Sequence, residues 1–227
     1  MSPTAAIVIP VLNEAQTIVS CLRELQRWRP LVELIVVDGG SADATVSLAE
    51  PLADRVLTSP RGRALQMNAG AAASGGRLLM FLHADTRLPA SCDLERLAEG
   101  VAAGSGWGFF ALRLSGRHPA FRLIERGISW RSRLTGVGTG DQLLFVRREL
   151  FAEVGGYPPI PLMEDVALSK MLRARGGPPL NPGMAVTTSS RRWEQRGILP
   201  TTLLMWWLRL RYFCGADPRT LHRRYYG

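Results

Sequence analysis

The chain has 227 residues, of which 46% are hydrophobic and 21% are charged. This composition excludes a fibrous or intrinsically disordered protein, and the length suits one large domain with its own core. The net charge of +9 comes almost entirely from arginine, since Lys170 is the only lysine. Arginine makes planar contacts with phosphate and carboxylate, so the charge favours anionic partners such as nucleotides, lipid headgroups or nucleic acid. High-GC codon usage explains the arginine content equally well.

Cysteine usage and the apolar segments bear on localisation. Cys21, Cys92 and Cys214 are odd in number and far apart, which fits neither a disulfide framework nor a metal-binding pair, so we expect reduced cysteines. The first apolar run ends at Pro10, too early for a signal peptide, and this predicts a cytoplasmic protein. The apolar segment 198–208 is too short to span a bilayer of about 30 Å, although it is long enough to lie on one.

Residues 5–103 alternate strand-like and helix-like segments, in the order that predicts βαβ units and a parallel sheet. Strands are predicted at 5–9, 34–37, 55–57 and 77–82, and helices at 14–28, 42–49, 64–73 and 93–103. No GxGxxG motif follows the first strand, which excludes the usual dinucleotide-binding fingerprint.

Beyond Gly104 the predicted strands, 107–114 and 143–146, are separated by glycine-rich turns, so we expect the sheet to become mixed. Helices are predicted at 121–130 and 165–175, and the glycines of 136–140 predict a loop. The Gly-Gly-Pro-Pro sequence at 176–179 predicts that the helix at 165–175 ends there. With no long linker, we expect one domain, 1–227, in which 1–103 binds a nucleotide and 104–227 completes the site.

Acidic residues follow hydrophobic runs at three places. Asp38 comes directly after a predicted strand, Asp85 follows the strand predicted at 77–82 after His83 and Ala84, and Glu164-Asp165 opens a predicted helix. Carboxylates at the C-terminal edge of a parallel sheet converge on the crevice where open α/β folds bind ligands. There they can hold a divalent metal ion or act as a base. Each has a structural alternative: an Asx turn for Asp38, a turn cap for Asp85, and stabilisation of the helix N-terminus for the acidic pair.

Two arginine-containing segments are further candidates for anion binding. Arg61-Gly62-Arg63 precedes a helix whose N-terminus attracts phosphate, with Gln66 and Asn68 as hydrogen-bond donors nearby. Arg191-Arg192-Trp193 combines two cations with an aromatic ring, which suits a diphosphate or a sugar ring. The alternative for this second segment is a solvated loop.

Four segments together resemble the signature series of family 2 glycosyltransferases. In chain order they are Ile7 to Glu14, Val36 to Thr45, Phe81 to Asp85, and Glu164-Asp165. The resemblance implies a GT-A fold: an α/β fold with a Rossmann-like nucleotide-binding half and a mixed, mostly parallel central sheet flanked by helices. It also implies transfer of a sugar from a nucleotide-diphosphate sugar, of the UDP or GDP type, to the hydroxyl group of an acceptor that the sequence does not identify.

Two later segments refine the resemblance. Ser189 to Glu194, with Gly140-Asp141-Gln142 upstream, resemble a compact bacterial subgroup labelled as associated with radical-SAM and selenodomain proteins. That label names neighbouring genes and no substrate.

The predicted nucleotide-sugar contacts are Pro10, Asn13, Glu14, Asp38, Gly39, Arg63, Asn68, His83, Ala84, Asp85, Arg191, Arg192 and Trp193. The resemblance implies that Asp85 binds Mg²⁺ or Mn²⁺, and that Asp165, with Glu164 beside it, is the catalytic base of an inverting transfer. One position departs from the family pattern. The DXD motif of the family begins with an acid where this chain has His83, which implies an altered ribose or metal contact and a pH dependence near neutrality.

Two competing functions have weaker support. A sugar-phosphate nucleotidyltransferase needs a glycine-rich basic loop after the first strand, where this chain has Asn13-Glu14. A membrane-surface binding protein without catalysis would explain the charge, whereas a nucleic-acid partner is not expected because no recognisable nucleic-acid-binding module is present. Peripheral membrane contact through residues 198–213 is expected as an added property, since many sugar acceptors are lipids. The oligomeric state stays open.

Overall fold

A computed structural model describes residues 3–226. Its strands are β1 (Ala5–Val11), β2 (Val32–Asp38), β3 (Arg55–Thr58), β4 (Leu78–Phe81), β5 (Thr86–Arg87), β6 (Trp107–Phe109), β7 (Ala111–Leu114), β8 (Leu144–Arg147) and β9 (Ala185–Thr188). Its α-helices are α1 (Ile18–Leu25), α2 (Thr45–Ala49), α3 (Arg63–Ala73), α4 (Leu94–Ala103), α5 (Pro119–Thr135), α6 (Arg148–Glu153), α7 (Glu164–Gly176), α8 (Arg191–Arg196), α9 (Ile198–Phe213) and α10 (Pro218–Tyr226).

The main sheet has the strand order β3-β2-β1-β4-β8-β6. The first four of these strands are parallel, and β8 runs antiparallel to both of its neighbours. The parallel strands read as unbroken apolar runs because helices cover both faces of the sheet. Alternate residues enter two cores, with Ile7 and Val36 on one face and Val8 and Val37 on the other. The predicted α/β class with a mixed, mostly parallel sheet is confirmed.

The pairing register brings the polar strand ends to one edge. Val11, the last residue of β1, is level with Asp38, the last residue of β2. In β4, Phe81 pairs with Val8, so the chain after Phe81 leaves the sheet beside the end of β1. The crevice expected from the sequence therefore lies at the C-terminal ends of β1, β2 and β4.

A second, three-stranded sheet with the order β5-β9-β7 stands against this edge. Its helical cover consists of α5, α8 and α9, which meet in an apolar cluster that includes Phe121, Trp193 and Met205. A further cluster joins Leu208 of α9 and Leu221 of α10 to Val166 near the start of α7. The C-terminal helices thus pack beside the acidic pair.

Several predicted boundaries are wrong for identifiable reasons. The helix predicted at 14–28 begins at Ile18, because residues 14–17 form a turn in which the Glu14 carbonyl accepts hydrogen bonds from the backbone N–H groups of Thr17 and Ile18. The strand predicted at 107–114 is divided at Phe110, and its two parts belong to different sheets.

The apolar segment predicted at 198–208 is part of a longer helix, α9, in which Pro200 occupies the first turn. Proline is tolerated there because the first turn has no intrahelical partner for the missing N–H group. Among the described residues, no helix has both the length and the apolar character needed to cross a membrane.

Candidate active site

Gln66 of α3 holds the floor of the crevice together. Its buried side-chain Nε2 donates to the carbonyl oxygens of Val11 and Val37, each at 2.8 Å. Gly39 passes directly over this amide, and a Cβ atom at that position would lie 3.1 Å from the Gln66 side chain. Glycine at position 39 therefore has a structural reason, and the predicted contact of Gly39 with the nucleotide sugar stays a prediction.

The loops after β1 and β2 are joined by side-chain hydrogen bonds. The backbone N–H of Asn13, which has a φ of 55°, donates to Ser41 Oγ at 2.8 Å. In return, Asn13 Oδ1 accepts from the backbone N–H of Ala42 at 2.9 Å. The Glu14 N–H donates to Thr45 Oγ1 at 2.8 Å. These contacts fix the crevice before any ligand enters.

Asp38 is buried at the end of β2, and its carboxylate is largely occupied by its own turn. It accepts from the backbone N–H groups of Gly40 at 2.9 Å and Ser41 at 3.0 Å, and from the Ser41 hydroxyl. A carboxylate has about four acceptor positions, so little capacity remains for a ligand. The Asx-turn alternative is the observed geometry, and the contact of Asp38 with a nucleotide base stays a prediction.

Arg191 connects two of the predicted contact residues. Its Nη2 lies 2.9 Å from Glu14 Oε1 and 3.9 Å from Asp85 Oδ2. Glu14 Oε2 also accepts from the Thr17 hydroxyl at 2.7 Å. Asp85 is held in place by its carbonyl, which accepts from the backbone N–H of Ser189 at 3.1 Å. Glu14, Asp85 and Arg191, far apart in sequence, therefore form one partly exposed cluster.

His83 and Asp165 meet across a short 3₁₀ turn, Gly140–Gln142. His83 Nδ1 lies 3.3 Å from Asp141 Oδ1, and the backbone N–H of Gly140 donates to Asp165 Oδ2 at 2.7 Å. A Cβ atom on Gly140 would lie 2.7 Å from the His83 imidazole. Only glycine allows this approach, so Gly140 connects the strand-end His83 to the acidic pair.

Glu164 and Asp165 are in different environments. Glu164 is buried, and burial raises its pKa to about 7; the charge of Asp165 adds to the rise and Arg63 opposes it. Asp165 is only half-buried, and its Oδ1 accepts from the backbone N–H of Val166 at 2.7 Å. Glu164 is therefore the member of the pair whose protonated, neutral form is favoured by burial.

Two residues predicted to contact the nucleotide sugar, Asn68 and Trp193, interact with other parts of the protein in this structure. Asn68 donates to the Tyr157 carbonyl at 2.8 Å and accepts from the Tyr157 N–H at 2.9 Å, so both ends of its amide are bound to the backbone. Trp193 is 4% exposed and packs against Leu112 and Phe121. The indole is therefore not exposed to a sugar in this structure, and its contact with the nucleotide sugar stays a prediction.

The remaining predicted residues lie around the crevice. Pro10 is half-buried in β1, and Ala84, which lies between His83 and Asp85 in the sequence, is buried. Arg63 is exposed at the start of α3, where its charge interacts with Glu164 and Asp165. Arg192 stacks its guanidinium on the Tyr225 ring at 4.2 Å, and burial lowers its pKa. The solvated-loop alternative for 191–193 does not hold, because these residues begin α8.

Sequence reasoning did not identify Arg131 and Arg209, which lie within electrostatic reach of Asp165. In the sequence, Asp141 is distinguished only as part of Gly140-Asp141-Gln142, a segment that resembles the bacterial subgroup. Single arginines on helices carry no local motif, so the sequence offers no signal for them. A histidine one residue from a strand end gives no sign of its distant carboxylate partner either.

Residues 3–226 contain no group of three or more His, Cys, Asp or Glu side chains placed to hold a metal ion by themselves. Asp85 nevertheless offers one partly exposed carboxylate in the turn between β4 and β5. Mg²⁺ is commonly held by one or two carboxylates together with substrate phosphates and water. The residues present therefore fit a cation that is bound jointly with a phosphorylated ligand.

Comparison with known proteins identifies the family. The model of Glycosyl transferase family 2 matches residues 6–129, which is more than half of the chain. The chain belongs to this family. This finding confirms the family-level resemblance seen in the strand-end motifs. In the family context, the crevice at the ends of β1, β2 and β4 is the candidate donor site.

A curated relative is the PGL/p-HBAD biosynthesis glycosyltransferase of Mycobacterium tuberculosis, 30% identical over 177 residues. The match covers 69% of this chain and spans 64% of the relative's length. Less than two thirds of that relative is thus represented by the aligned region.

Solved structures of glycosyltransferases share the fold. The mannosyltransferase PcManGT from Pyrobaculum calidifontis, in complex with GDP-Man and Mn²⁺, has a TM-score of 0.63 at 23% identity. The match covers 82% of this chain and 57% of the mannosyltransferase chain. Glucosyl-3-phosphoglycerate synthase from Mycobacterium tuberculosis, with Mn²⁺, UDP and glucosyl-3-phosphoglycerate, has a TM-score of 0.58 at 22% identity. The match covers 82% of this chain and 70% of the synthase chain. The predicted GT-A fold is confirmed.

Proposed function

We propose that this protein is a glycosyltransferase that moves a sugar from a nucleotide-diphosphate sugar to an acceptor hydroxyl group. The observation that carries the proposal is the meeting of Asp85 and Asp165 at one crevice, through His83 and Gly140, in a chain of the glycosyltransferase family. We call Glu14, Asp38, Asp85 and Arg191 the donor edge. We call Gly140, Asp141, Glu164 and Asp165 the acceptor edge.

The donor edge suits a nucleoside diphosphate of the UDP or GDP type. This assignment is supported by the GDP-Man and UDP bound to the two similar structures. Asp85 would hold Mg²⁺ or Mn²⁺ together with the diphosphate, and a cation there supplies charge stabilisation of the leaving group. Arg191 already lies between Glu14 and Asp85, where its planar guanidinium can turn to a phosphate oxygen.

The acceptor edge supplies the base. Asp165 Oδ2 is oriented by the Gly140 N–H, and burial favours the neutral form of the neighbouring Glu164. In the proposed inverting step, Asp165 takes the acceptor hydroxyl proton as the oxygen bonds to the anomeric carbon. The bond from that carbon to the diphosphate breaks on the opposite side. A positioned base typically contributes about 10² to 10⁴ in rate.

We also propose peripheral contact with the cytoplasmic face of a membrane, and a lipid-linked acceptor. Helix α9 exposes one stripe of large apolar side chains at spacings of three and four residues: Leu199, Leu203, Trp206, Leu210 and Phe213. Helix α5 exposes Leu123, Trp130 and Leu134. Exposed apolar helix faces with basic flanks suit an anionic lipid surface, and the chain carries a net charge of +9.

The bacterial subgroup associated with radical-SAM and selenodomain proteins remains our proposal for the closer affiliation. It rests on residues 189–194 and on Gly140-Asp141-Gln142. The structure adds that both segments border the crevice, since Ser189 supports Asp85 and Gly140 supports Asp165.

Nucleotide binding tests the proposed function. The melting temperature should rise with UDP or GDP in the presence of Mn²⁺, by the equivalent of about 2.7 kcal/mol at a hundredfold excess over Kd. Asp85→Asn should lose the Mn²⁺-dependent part of this stabilisation. Glu95→Gln, which removes an exposed carboxylate of α4 away from the crevice, is the matched control and should retain it. A wild-type protein that responds to neither nucleotide would overturn the donor-site assignment.

A further inference from the structure

Two arginines that the proposed reaction does not use, Arg131 and Arg209, lie within electrostatic reach of Asp165. Arg131 is on α5, next to the buried Ser132, whose hydroxyl donates to Gln142 Oε1 at 2.8 Å in the turn that supports Asp165. Arg209 is on α9, next to the buried Leu208, which packs with Met163 and Val166 on either side of the acidic pair. The two arginines therefore approach the acceptor edge from two different helices.

The charges of these arginines are poorly compensated. Both side chains are half-buried, and neither forms an ion pair with a carboxylate in residues 3–226. Among residues 3–226, the buried Nε of Arg131 has no hydrogen-bond partner, while its Nη2 donates to Ser132 Oγ at 2.9 Å. Burial lowers the pKa of Arg131 to about 10, with the charge of Arg209 adding to the fall and Asp165 opposing it.

Such an arrangement is unfavourable in the absence of a ligand. Two like charges held near each other and partly out of water oppose folding, and Asp165 offsets only part of this cost. Incompletely paired charges in a cleft are typical of binding sites. An anion bound between the two guanidinium groups would supply the missing hydrogen bonds and opposite charge.

The position of the pair selects the ligand. The donor diphosphate is assigned to Glu14, Asp85 and Arg191, whereas Arg131 and Arg209 interact with Asp165, where the acceptor is expected. Guanidinium groups bind phosphate oxygens through parallel hydrogen bonds. We propose that Arg131 and Arg209 form a binding site for a phosphate monoester carried by the acceptor. This inference rests on the proposed glycosyl transfer.

The phosphate has two possible sources. Arg131 and Arg209 lie on α5 and α9, the same helices that expose the apolar stripes, so a lipid phosphate at a membrane surface would reach them. A soluble phosphorylated acceptor would use the same hydrogen bonds. Binding experiments with inorganic phosphate and with phosphate-bearing vesicles separate the two.

The first experiment measures the melting temperature in inorganic phosphate and in sodium chloride of equal ionic strength. Phosphate should stabilise the wild-type protein more than chloride does, and R131Q/R209Q should lose this difference. Each single variant should weaken phosphate binding about tenfold, as expected for loss of a hydrogen bond to a charged group. The matched control R133Q/R211Q removes two exposed arginines from the same helices and should respond like the wild type. An equal response of wild type and R131Q/R209Q would overturn the proposal.

The second experiment measures flotation with phosphatidylcholine vesicles that contain phosphatidic acid or an equal charge of phosphatidylglycerol. A lipid source requires a preference of the wild-type protein for phosphatidic acid, which bears a phosphate monoester, and loss of this preference in R131Q/R209Q. A phosphate response without that preference indicates a soluble acceptor. The absence of both overturns the proposed site.

Two controls separate this site from folding and from the donor site. Ligand-free R131Q/R209Q should melt at or above the wild-type temperature, because the substitution removes the repulsion between the two charges; a destabilised variant would show that the arginines are structural. The stabilisation by UDP or GDP with Mn²⁺ should be unchanged in R131Q/R209Q. Its loss would assign the arginines to the donor diphosphate instead. A wild-type protein that binds phosphate but no nucleotide would refute the proposed function and leave the anion site standing.

Discussion

The donor edge and the acceptor edge of the crevice differ in how far their charged side chains are paired within the protein. At the donor edge, the carboxylates of Asp38 and Glu14 accept hydrogen bonds from residues of their own turns, and Arg191 is paired with Glu14. At the acceptor edge, a buried Glu164 carries a raised pKa and adjoins incompletely paired charges. Asp38, Glu14 and Arg191 of the donor edge are thus paired without a ligand and Asp85 is left for a cation, whereas the acceptor edge has incompletely paired charges that a substrate can satisfy. The comparison predicts that substitutions at the two edges separate turnover from stability.

Asp165→Asn should have the largest effect. The asparagine can still accept the Gly140 N–H hydrogen bond through its amide oxygen, so we expect the fold and nucleotide affinity to be retained. Loss of the base should reduce turnover by about 10² to 10⁴. Turnover is measured by release of nucleoside diphosphate from the donor, and nucleotide affinity by thermal shift. Unchanged turnover would remove Asp165 from the role of base.

Glu164→Gln should have the next largest effect, on the pH dependence of stability, because glutamine resembles the neutral form of the Glu164 side chain. The pKa of Glu164 is about 7 in the folded protein against a reference value of 4.5. The folded state therefore binds a proton more strongly, and stability falls as pH rises between these values. The difference of 2.5 units corresponds to at most about 3 kcal/mol.

Glu164→Gln should lack this pH dependence and should be more stable than the wild type at pH 8. Its turnover should stay within about tenfold of the wild type, since Glu164 is not the base in this scheme. Urea unfolding at pH 5 and pH 8 measures the first effect. A parallel pH dependence in both proteins would show that Glu164 is not the group that titrates.

The two edges also differ in how far the sequence reveals them. Asp38 and Asp85 end apolar runs, so their convergence follows from the parallel sheet and needs no knowledge of the rest of the fold. The same reasoning fails for Asn68 and Trp193, since nothing local shows that Tyr157 binds the amide or that α5 covers the indole. Arg131 and Arg209 reach the acceptor edge through packing of α5 and α9, which depends on long-range contacts and leaves no motif.

Gln66→Leu tests whether the donor edge depends on its internal hydrogen bonds. The substitution leaves the Val37 carbonyl without this donor, whereas the Val11 carbonyl keeps the hydrogen bond from the Gly39 N–H at 3.0 Å; an unsatisfied buried polar group costs about 1 to 3 kcal/mol. We expect a loss of about 2 kcal/mol in stability, together with weaker nucleotide binding.

Gln26→Leu is the matched control for this prediction. Gln26 donates in the same way to the Leu22 and Leu52 carbonyls, but away from the crevice. It should lower stability without changing nucleotide affinity. Equal nucleotide affinities for the wild type and both variants would mean that the floor of the crevice tolerates the loss of Gln66.

Arg191→Ala should have the smallest effect on stability and still weaken donor binding. Its ion pair with Glu14 is partly exposed, and such pairs contribute about 0 to 1 kcal/mol, so the melting temperature should fall by no more than about 2 to 4 °C. If Arg191 turns to the diphosphate, its removal should weaken UDP or GDP binding about tenfold, as measured by calorimetry with Mn²⁺. Arg191→Lys keeps the charge but loses the planar fork, so an intermediate affinity is expected. A fall in melting temperature well beyond this range, with unchanged nucleotide affinity, would instead make Arg191 a structural link between the loop at Glu14 and helix α8.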